Sequence, residues 1–80
     1  QIIKEETSAK GYTIQVASFK FKNEALKEME SLKRRGFNSI ILNKGTFLIV
    51  CVGKYSDKEK AISVLQKLKK NYQDSFVRRL

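Results

Sequence analysis

The sequence predicts an α+β fold, a two-layer βαββαβ sandwich in which two helices cover one face of a four-stranded antiparallel sheet. Apolar, β-branched runs alternate with segments of helical period, and two of the runs are joined by a two-residue connection, Lys44 and Gly45. The two halves of the chain also repeat each other at a spacing of thirty-six positions. The residues Val16, Ala17, Phe19, Ala25, Met29 and Leu32 recur as Val52, Gly53, Tyr55, Ala61, Leu65 and Leu68.

The first half supplies a strand and a helix. Residues 1–11, which include the polar run "KEETSAK", are predicted to be a linker or tail, and the domain is predicted to span residues 12–80. The run "YTIQVAS" has the composition of a strand. In "NEALKEMESLKRRG" one helical face is apolar, and Gly36 is predicted to end the helix. That face consists of Ala25, Leu26, Met29 and Leu32.

The second half begins with a hairpin. A turn at Lys44 and Gly45 predicts that Asn43 pairs with Thr46, and Leu42 with Phe47. The run "SDKE" has capping-box spacing and opens a second helix, and "SFVRR" forms a last strand. The apolar stripe of that helix is Ala61, Ile62, Leu65 and Leu68. Right-handed crossovers then place both helices on one face, in a ferredoxin-like or RNP-like topology.

Composition limits the classes of function. Seventeen Lys and Arg against eight acidic residues give a net charge of +9, which favours a polyanionic partner, although lysines also keep proteins soluble. The chain has no His and one Cys, so it can form no internal disulfide and lacks the ligands of a structural zinc site. No nucleophile with a neighbouring base is visible, and we predict a non-enzymatic domain without a metal or cofactor. No apolar run approaches the roughly 18 residues of a membrane span.

The sheet face opposite the helices is predicted to be an apolar platform with Gln15 near its middle. Strand alternation turns Thr13, Gln15 and Ala17 outward on the first strand. On the last strand, an inward Phe76 leaves Val77 and Arg79 outward. The hairpin contributes Ile40, Leu42, Phe47, Ile49 and Cys51. An apolar patch of this kind marks a binding surface, unless the N-terminal segment, a second copy or the rest of a longer protein covers it.

The sequence of these segments resembles the SPOR domain, the sporulation-related repeat of bacterial cell-envelope proteins. The resemblance covers residues 12–79 and depends on "YTIQVASF", the Ala-led helix that ends at Gly36, "FLIVCVGKY" and the second Ala-led helix. Lys54 stands where the family often has proline, and Phe47 is the only bulky aromatic predicted on the open face. We expect the first departure to alter a turn and the second to weaken stacking on sugar rings.

The resemblance implies a peptidoglycan-binding module that recognises denuded glycan strands, which lack stem peptides, and targets a larger envelope protein to the division septum. It implies an extracytoplasmic location in the periplasm or cell wall, a monomeric domain, and membrane association only through an anchor elsewhere in a parent protein. The predicted glycan-binding residues are Gln15, Ser18, Leu42, Phe47, Ile49, Val77 and Arg79. Ser18 belongs to this set although regular alternation would turn it inward, so we expect the strand to end there.

The positive charge fits this ligand, because removing stem peptides frees the lactyl carboxylates of the muramic acid units, and Arg79 and Lys44 are the predicted contacts. The alternative is a nucleic-acid-binding module of the RNA-recognition type, which uses the same open sheet face. "KGTFLIVCV" begins like the third-strand motif of that module. Leu48 to Val52 supply none of its later aromatics, and Gln15 stands where a stacking ring is expected. We therefore expect no nucleic-acid partner.

Overall fold

The computed structural model describes residues 11–80, so the predicted linker or tail, except for Gly11, lies outside the described residues. Six elements follow one another in the predicted order. They are β1 (Tyr12–Phe19), α1 (Lys22–Arg34), β2 (Ser39–Lys44), β3 (Phe47–Tyr55), α2 (Lys58–Leu68) and β4 (Phe76–Arg79). The strands form one antiparallel sheet in the order β2-β3-β1-β4, which confirms the predicted α+β fold.

Both helices cover the same face of the sheet, and the hydrophobic core lies between the two layers. Its buried members are Ile14, Val16, Ala25, Leu32, Val50, Val52, Ala61 and Leu68. Ala25 and Ala61 are fully buried, and their short side chains let the helix backbones lie close to the sheet.

The apolar faces predicted for the two helices are wider than the faces that the structure buries. Leu26 and Ile62 are 46% and 37% exposed, and Leu65 is only half-buried. Leu26 and Ile62 each follow a buried alanine directly, and successive residues of a helix are about 100° apart around its axis. The second residue of each pair therefore leaves the buried face, which is narrower than the sequence suggests.

Gly36 ends α1 as predicted. It has a φ of +91°, in the left-handed region that favours glycine. Its N–H donates to the carbonyl of Lys33 at 3.0 Å, and the N–H of Phe37 donates to that of Leu32 at 2.9 Å. These two bonds form a Schellman motif, which satisfies the last carbonyls of the helix and directs Phe37 back toward the core.

The start of α2 differs from the prediction. The helix begins at Lys58, its N-cap residue is Asp57 rather than Ser56, and no side-chain hydrogen bond caps it. A capping box requires the acidic residue three positions after the N-cap. Glu59 is only two positions after Asp57, so the box predicted from Ser56 to Glu59 does not form.

The hairpin between β2 and β3 turns one residue later than predicted. Lys44 pairs with Phe47, and the two loop residues are Gly45, with a φ of +63°, and Thr46. Leu42 consequently pairs with Ile49 instead of Phe47. The pairing is shifted by two residues relative to the prediction, and side chains alternate with a period of two. The assignment of β2 and β3 side chains to the two faces is therefore unaffected.

Candidate functional site

The open face, defined here as the sheet surface opposite α1 and α2, is built of cross-strand rows. The longest row crosses all four strands, from β2 through β3 and β1 to β4. The rows are Ile40, Cys51, Gln15 and Phe76; Leu42, Ile49 and Ser18; Lys44 and Phe47; and Thr13 and Arg78. Gln15 lies on the central strand β1, as predicted, with an apolar residue on each side.

The central residues of this face, which form its floor, are more buried than the predicted platform. Ile49 is 5% exposed and Cys51 is fully buried, although neither belongs to the core cluster between the layers. Phe47 is 41% exposed and Phe76 is 47% exposed. The apolar surface open to a ligand therefore comes from the two phenylalanines at different ends of the face, with Ile49 beneath.

A β-bulge in β1 places Ser18 on the open face. Gln15 pairs with Cys51 and Ala17 pairs with Val50, so Val16 is an extra residue without a partner on β3. Alternation restarts after the bulge, which turns the exposed Ser18 toward the open face opposite Ile49. The strand continues to Phe19, so the expectation that it ends at Ser18 is wrong. The outward orientation predicted for Ala17 is also wrong, because Ala17 contacts the core.

The side chains of β4 alternate between the two faces in the opposite order to the prediction; this order is called the phase of the strand. Val77 pairs with Ile14 and contacts the core, while Phe76 pairs with Gln15 on the open face. Arg79 pairs with Tyr12, whose side chain also contacts the core. Val77 and Arg79, predicted to lie on the open face, are therefore on the helix side.

Phe76 and Arg78 take the open-face positions of β4, and sequence reasoning missed both. Phe76 is a second exposed aromatic, so the expectation that Phe47 is the only one on this face is wrong. Arg78 is half-buried and pairs with Thr13. Together they bring one ring and one cation beside Gln15.

Gln15 has a defined orientation. The guanidinium of Arg78 donates a hydrogen bond from Nη1 to Oε1 of Gln15 at 2.7 Å. Since the amide oxygen accepts this bond, the two N–H groups of the amide are available to another molecule. The centre of the open face therefore offers hydrogen-bond donors from both residues.

Thr13 and Cys51 are buried beneath these donors and complete the floor of the open face. The hydroxyl of Thr13 lies 3.1 Å from the carbonyl oxygen of Val52 and 2.6 Å from that of Gly53, to which it donates. Burial raises the pKa of the Cys51 thiol to about 11, against the opposing effects of the nearby Arg78 charge and the Thr13 hydroxyl. Cys51 is thus a protonated, inaccessible thiol and serves as packing.

A groove leads away from Gln15 along the edge of β1. Strand β4 pairs only with the first four residues of β1, so the edge beyond Gln15 has no β4 partner. The groove has a volume of about 430 Å³ and is lined by Gln15, Val16, Ala17, Ser18, Asp74 and Phe76. A second groove, of about 450 Å³, is lined by residues of α1 and by Phe37 to Ser39, and it includes none of the open-face donors.

The charge of the sheet has one sign. None of the four strands contains Asp or Glu, whereas β2 and β4 place Lys44 and Arg78 on the open face. The ammonium group of Lys20 lies 5.8 Å from the centre of the Phe47 ring. Asp74, in the groove, is the acidic residue nearest in sequence to β4. The open face therefore favours anionic or acceptor-rich ligands.

Residues 11–80 contain no cluster of three or more His, Cys, Asp or Glu side chains that could hold a metal ion. In the same range, no helix combines the length and the apolar character that crossing a bilayer requires.

A family model and a solved structure are similar to this chain. The family model of the SPOR domain matches residues 8–79. The solution structure of the peptidoglycan binding domain of the B. subtilis cell wall lytic enzyme CwlC is similar, with a TM-score of 0.74 and 30% sequence identity. The match covers 95% of this chain and 96% of that one. A search of curated proteins finds no match.

Proposed function

Because this chain belongs to the SPOR domain family, we propose that it is a non-catalytic module that binds peptidoglycan through the open face. The observation that carries the proposal is the arrangement around Gln15: amide and guanidinium donors above an apolar floor, with an exposed phenylalanine at each side. Sugars present apolar ring faces and polar edges, and a face with both kinds of group suits them. The similar CwlC structure is itself a peptidoglycan binding domain.

The length of the open face fits a polymer. Cys51 and Phe47 are four positions apart on β3, which corresponds to about 13 Å along the strand. Phe76 lies two strands from β3, or about 10 Å across the sheet. A ligand that contacts both Phe47 and Phe76 must therefore extend over more than one sugar ring. Gln15 and Ser18 lie between these two contacts and would donate hydrogen bonds to it.

Charge supports denuded glycan as the preferred form. Cleavage of the amide between muramic acid and the stem peptide leaves a lactyl carboxylate on every such unit, so the strand becomes a regular polyanion. Lys44 and Arg78 on an acid-free sheet attract it. Denuded strands arise where amidases separate daughter cells, and the proposed role is to bring a larger envelope protein to the division septum. This role requires an extracytoplasmic location, and we propose a monomeric domain over residues 12–80.

Retention on purified sacculi tests the function. The chain is expected to bind amidase-treated sacculi more strongly than untreated sacculi, and Ile62→Ala, an exposed position on α2, is expected to bind like the wild type. Failure of the chain to bind either kind of sacculi would contradict peptidoglycan binding. Equal retention on both would retain peptidoglycan binding and remove the preference for denuded strands.

The alternative is a nucleic acid on the same face. The exposed Phe76 supports this alternative, because Phe76 gives the sheet a second exposed ring near a cation. Binding to an RNA homopolymer at two salt concentrations separates the two ligands, since phosphate contacts weaken steeply with salt. Contacts with uncharged sugar groups through Gln15 and Phe47 are expected to weaken less. RNA retention stronger than retention on amidase-treated sacculi would favour the alternative.

A further inference from the structure

Arg78 and Gln15 form a polar pair on an otherwise apolar part of the sheet. Arg78 pairs in register with Thr13, and its side chain reaches along the strand direction to Gln15, with an Nη1 to Oε1 distance of 2.7 Å. Both residues are half-buried. The strands of the sheet contain no carboxylate that could neutralise the guanidinium. Asp74 shares a groove with Gln15, but no strand supplies a carboxylate, and Arg78 therefore brings a positive charge to the centre of the open face.

The bond between them decides which groups the pair presents. A glutamine amide has one oxygen acceptor and two N–H donors, and a guanidinium has five N–H donors and no acceptor. The amide oxygen accepts the bond from Arg78, so the amide nitrogen and the remaining guanidinium N–H groups are left for a ligand. One lone pair remains on the amide oxygen, against two amide and four guanidinium N–H groups, so the pair favours a ligand that supplies acceptors.

We propose that Arg78 is a specificity-determining residue that binds the free lactyl carboxylate of a denuded glycan strand while it holds Gln15 in the donor orientation. The inference deepens the proposed function and rests on it. In a denuded strand the lactyl group ends in a carboxylate with two charged acceptor oxygens. In a peptide-bearing strand the same carbon carries a neutral amide, whose N–H is itself a donor.

The two forms differ in charge and in hydrogen-bond type. A carboxylate can accept two parallel bonds from a guanidinium, or one bond each from Arg78 and Gln15. An amide offers one neutral acceptor oxygen, and the single lone pair left on Oε1 of Gln15 is the one acceptor that the pair offers to its N–H. Discrimination therefore comes from a more favourable contact with one form than with the other.

The effect of Arg78 on Cys51 agrees with this position. The thiol lies under the open face in the row of Gln15, and the charge of Arg78 acts to lower its pKa, against the larger effect of burial. The 2.7 Å bond to Gln15 likewise places the guanidinium near the middle of the floor.

Chemical modification of the ligand tests the inference. Denuded glycan strands are prepared with amidase, and part of the material is coupled to methylamine with a carbodiimide, which converts each lactyl carboxylate to a methylamide. Binding of both polymers is measured for the wild type, Arg78→Gln, Arg78→Lys and Lys67→Gln. Lys67 is exposed on α2, and its substitution removes the same charge without changing the open face.

The ratio of the two affinities is the readout. The wild type and Lys67→Gln are expected to prefer the carboxylate polymer by about tenfold, as expected for a charge-assisted bond. Arg78→Gln is expected to bind both polymers within about twofold of each other, and Arg78→Lys is expected to lie in between because lysine lacks the planar fork.

The outcomes separate the inference from the function. If the wild type binds both polymers equally, or if Arg78→Gln keeps the wild-type ratio, the inference is overturned and glycan binding stands. If the wild type binds neither polymer, the proposed function fails as well. Thermal melts accompany each variant, and if Arg78→Gln does not fold, the wild-type ratio and Arg78→Lys decide the question.

Discussion

In the middle of β3 the two faces of the sheet are equally well buried, yet their neighbours differ in chemistry. Val50 and Val52 point to the helices and are 0% and 1% exposed, while Ile49 and Cys51 point away from them and are 5% and 0% exposed. On the helix side the neighbours are apolar side chains of α1 and α2. On the open side the cross-strand neighbours on β1 are the polar residues Gln15 and Ser18. Burial alone therefore does not distinguish the core from the floor of the open face; the chemistry of the neighbours does.

The largest effect is expected from the helix side. Leu68→Ala should lower the free energy of unfolding by about 2–5 kcal/mol, because Leu68 is 2% exposed and its truncation leaves a cavity in the core. Leu65→Ala, at a half-buried position of the same helix, should cost less. Urea or thermal unfolding measures both variants. An equal loss of stability at the two positions would mean that α2 is rotated relative to the sheet.

On the open face, truncation should affect binding rather than stability. Phe47→Ala and Gln15→Ala are each expected to weaken retention on denuded glycan by about tenfold, the loss of about 1–2 kcal/mol of contact. Their unfolding midpoints should stay close to that of the wild type, since both side chains are at least partly exposed. Unchanged retention of a folded variant would remove that residue from the site.

Neighbouring residues of β4 give the sharpest contrast between the faces. Phe76→Ala is expected to weaken glycan binding several-fold with little change in stability, because Phe76 is 47% exposed beside Gln15. Val77→Ala is expected to lower stability by about 1 kcal/mol and to leave binding unchanged, because Val77 contacts the core. The reverse pattern would show that β4 has the phase predicted from the sequence.

The last effect is confined to alkaline pH and concerns the thiol under the open face. The folded pKa of Cys51, about 11, is above its ordinary value of 9.0, so the thiolate is disfavoured in the folded state. Stability from this group is present below pH 9 and is lost as the unfolded thiol ionises between pH 9 and 11. Cys51→Ala should therefore show a smaller decline of stability over that range. The difference between the two unfolding curves against pH measures it, and parallel curves would contradict the raised pKa.

Most of the fold could be predicted because hydrophobic period and turn residues specify it redundantly. The hairpin prediction was off by two residues in pairing, but a shift of two leaves every side chain on its original face. The helix stripes were correct at Ala25 and Ala61 and too wide at the residues that follow them. Hydrophobic pattern gives the direction of a buried face more accurately than its width.

The site was less predictable where the pattern is ambiguous. In "SFVRR" both Phe and Val are apolar and both following residues are Arg, so a shift by one residue leaves the pattern almost the same. Pairing with the fully buried Ile14 selects Val77 for the core, and this information is tertiary. The bulge at Val16 has no local signal such as glycine, and only the resemblance to the SPOR domain indicated that Ser18 belongs with Gln15.

The absence of Asp, Glu and His from the four strands simplifies the acid–base behaviour of the open face. The charged residues of the strands are all Lys or Arg, and burial raises the pKa of the Cys51 thiol to about 11. The strands of the sheet therefore contribute positive charge and no carboxylate to the open face. Because the strands contain no Asp, Glu or His, we expect any dependence of the proposed glycan binding on pH between about 5 and 8 to originate in the glycan or in groups outside the strands.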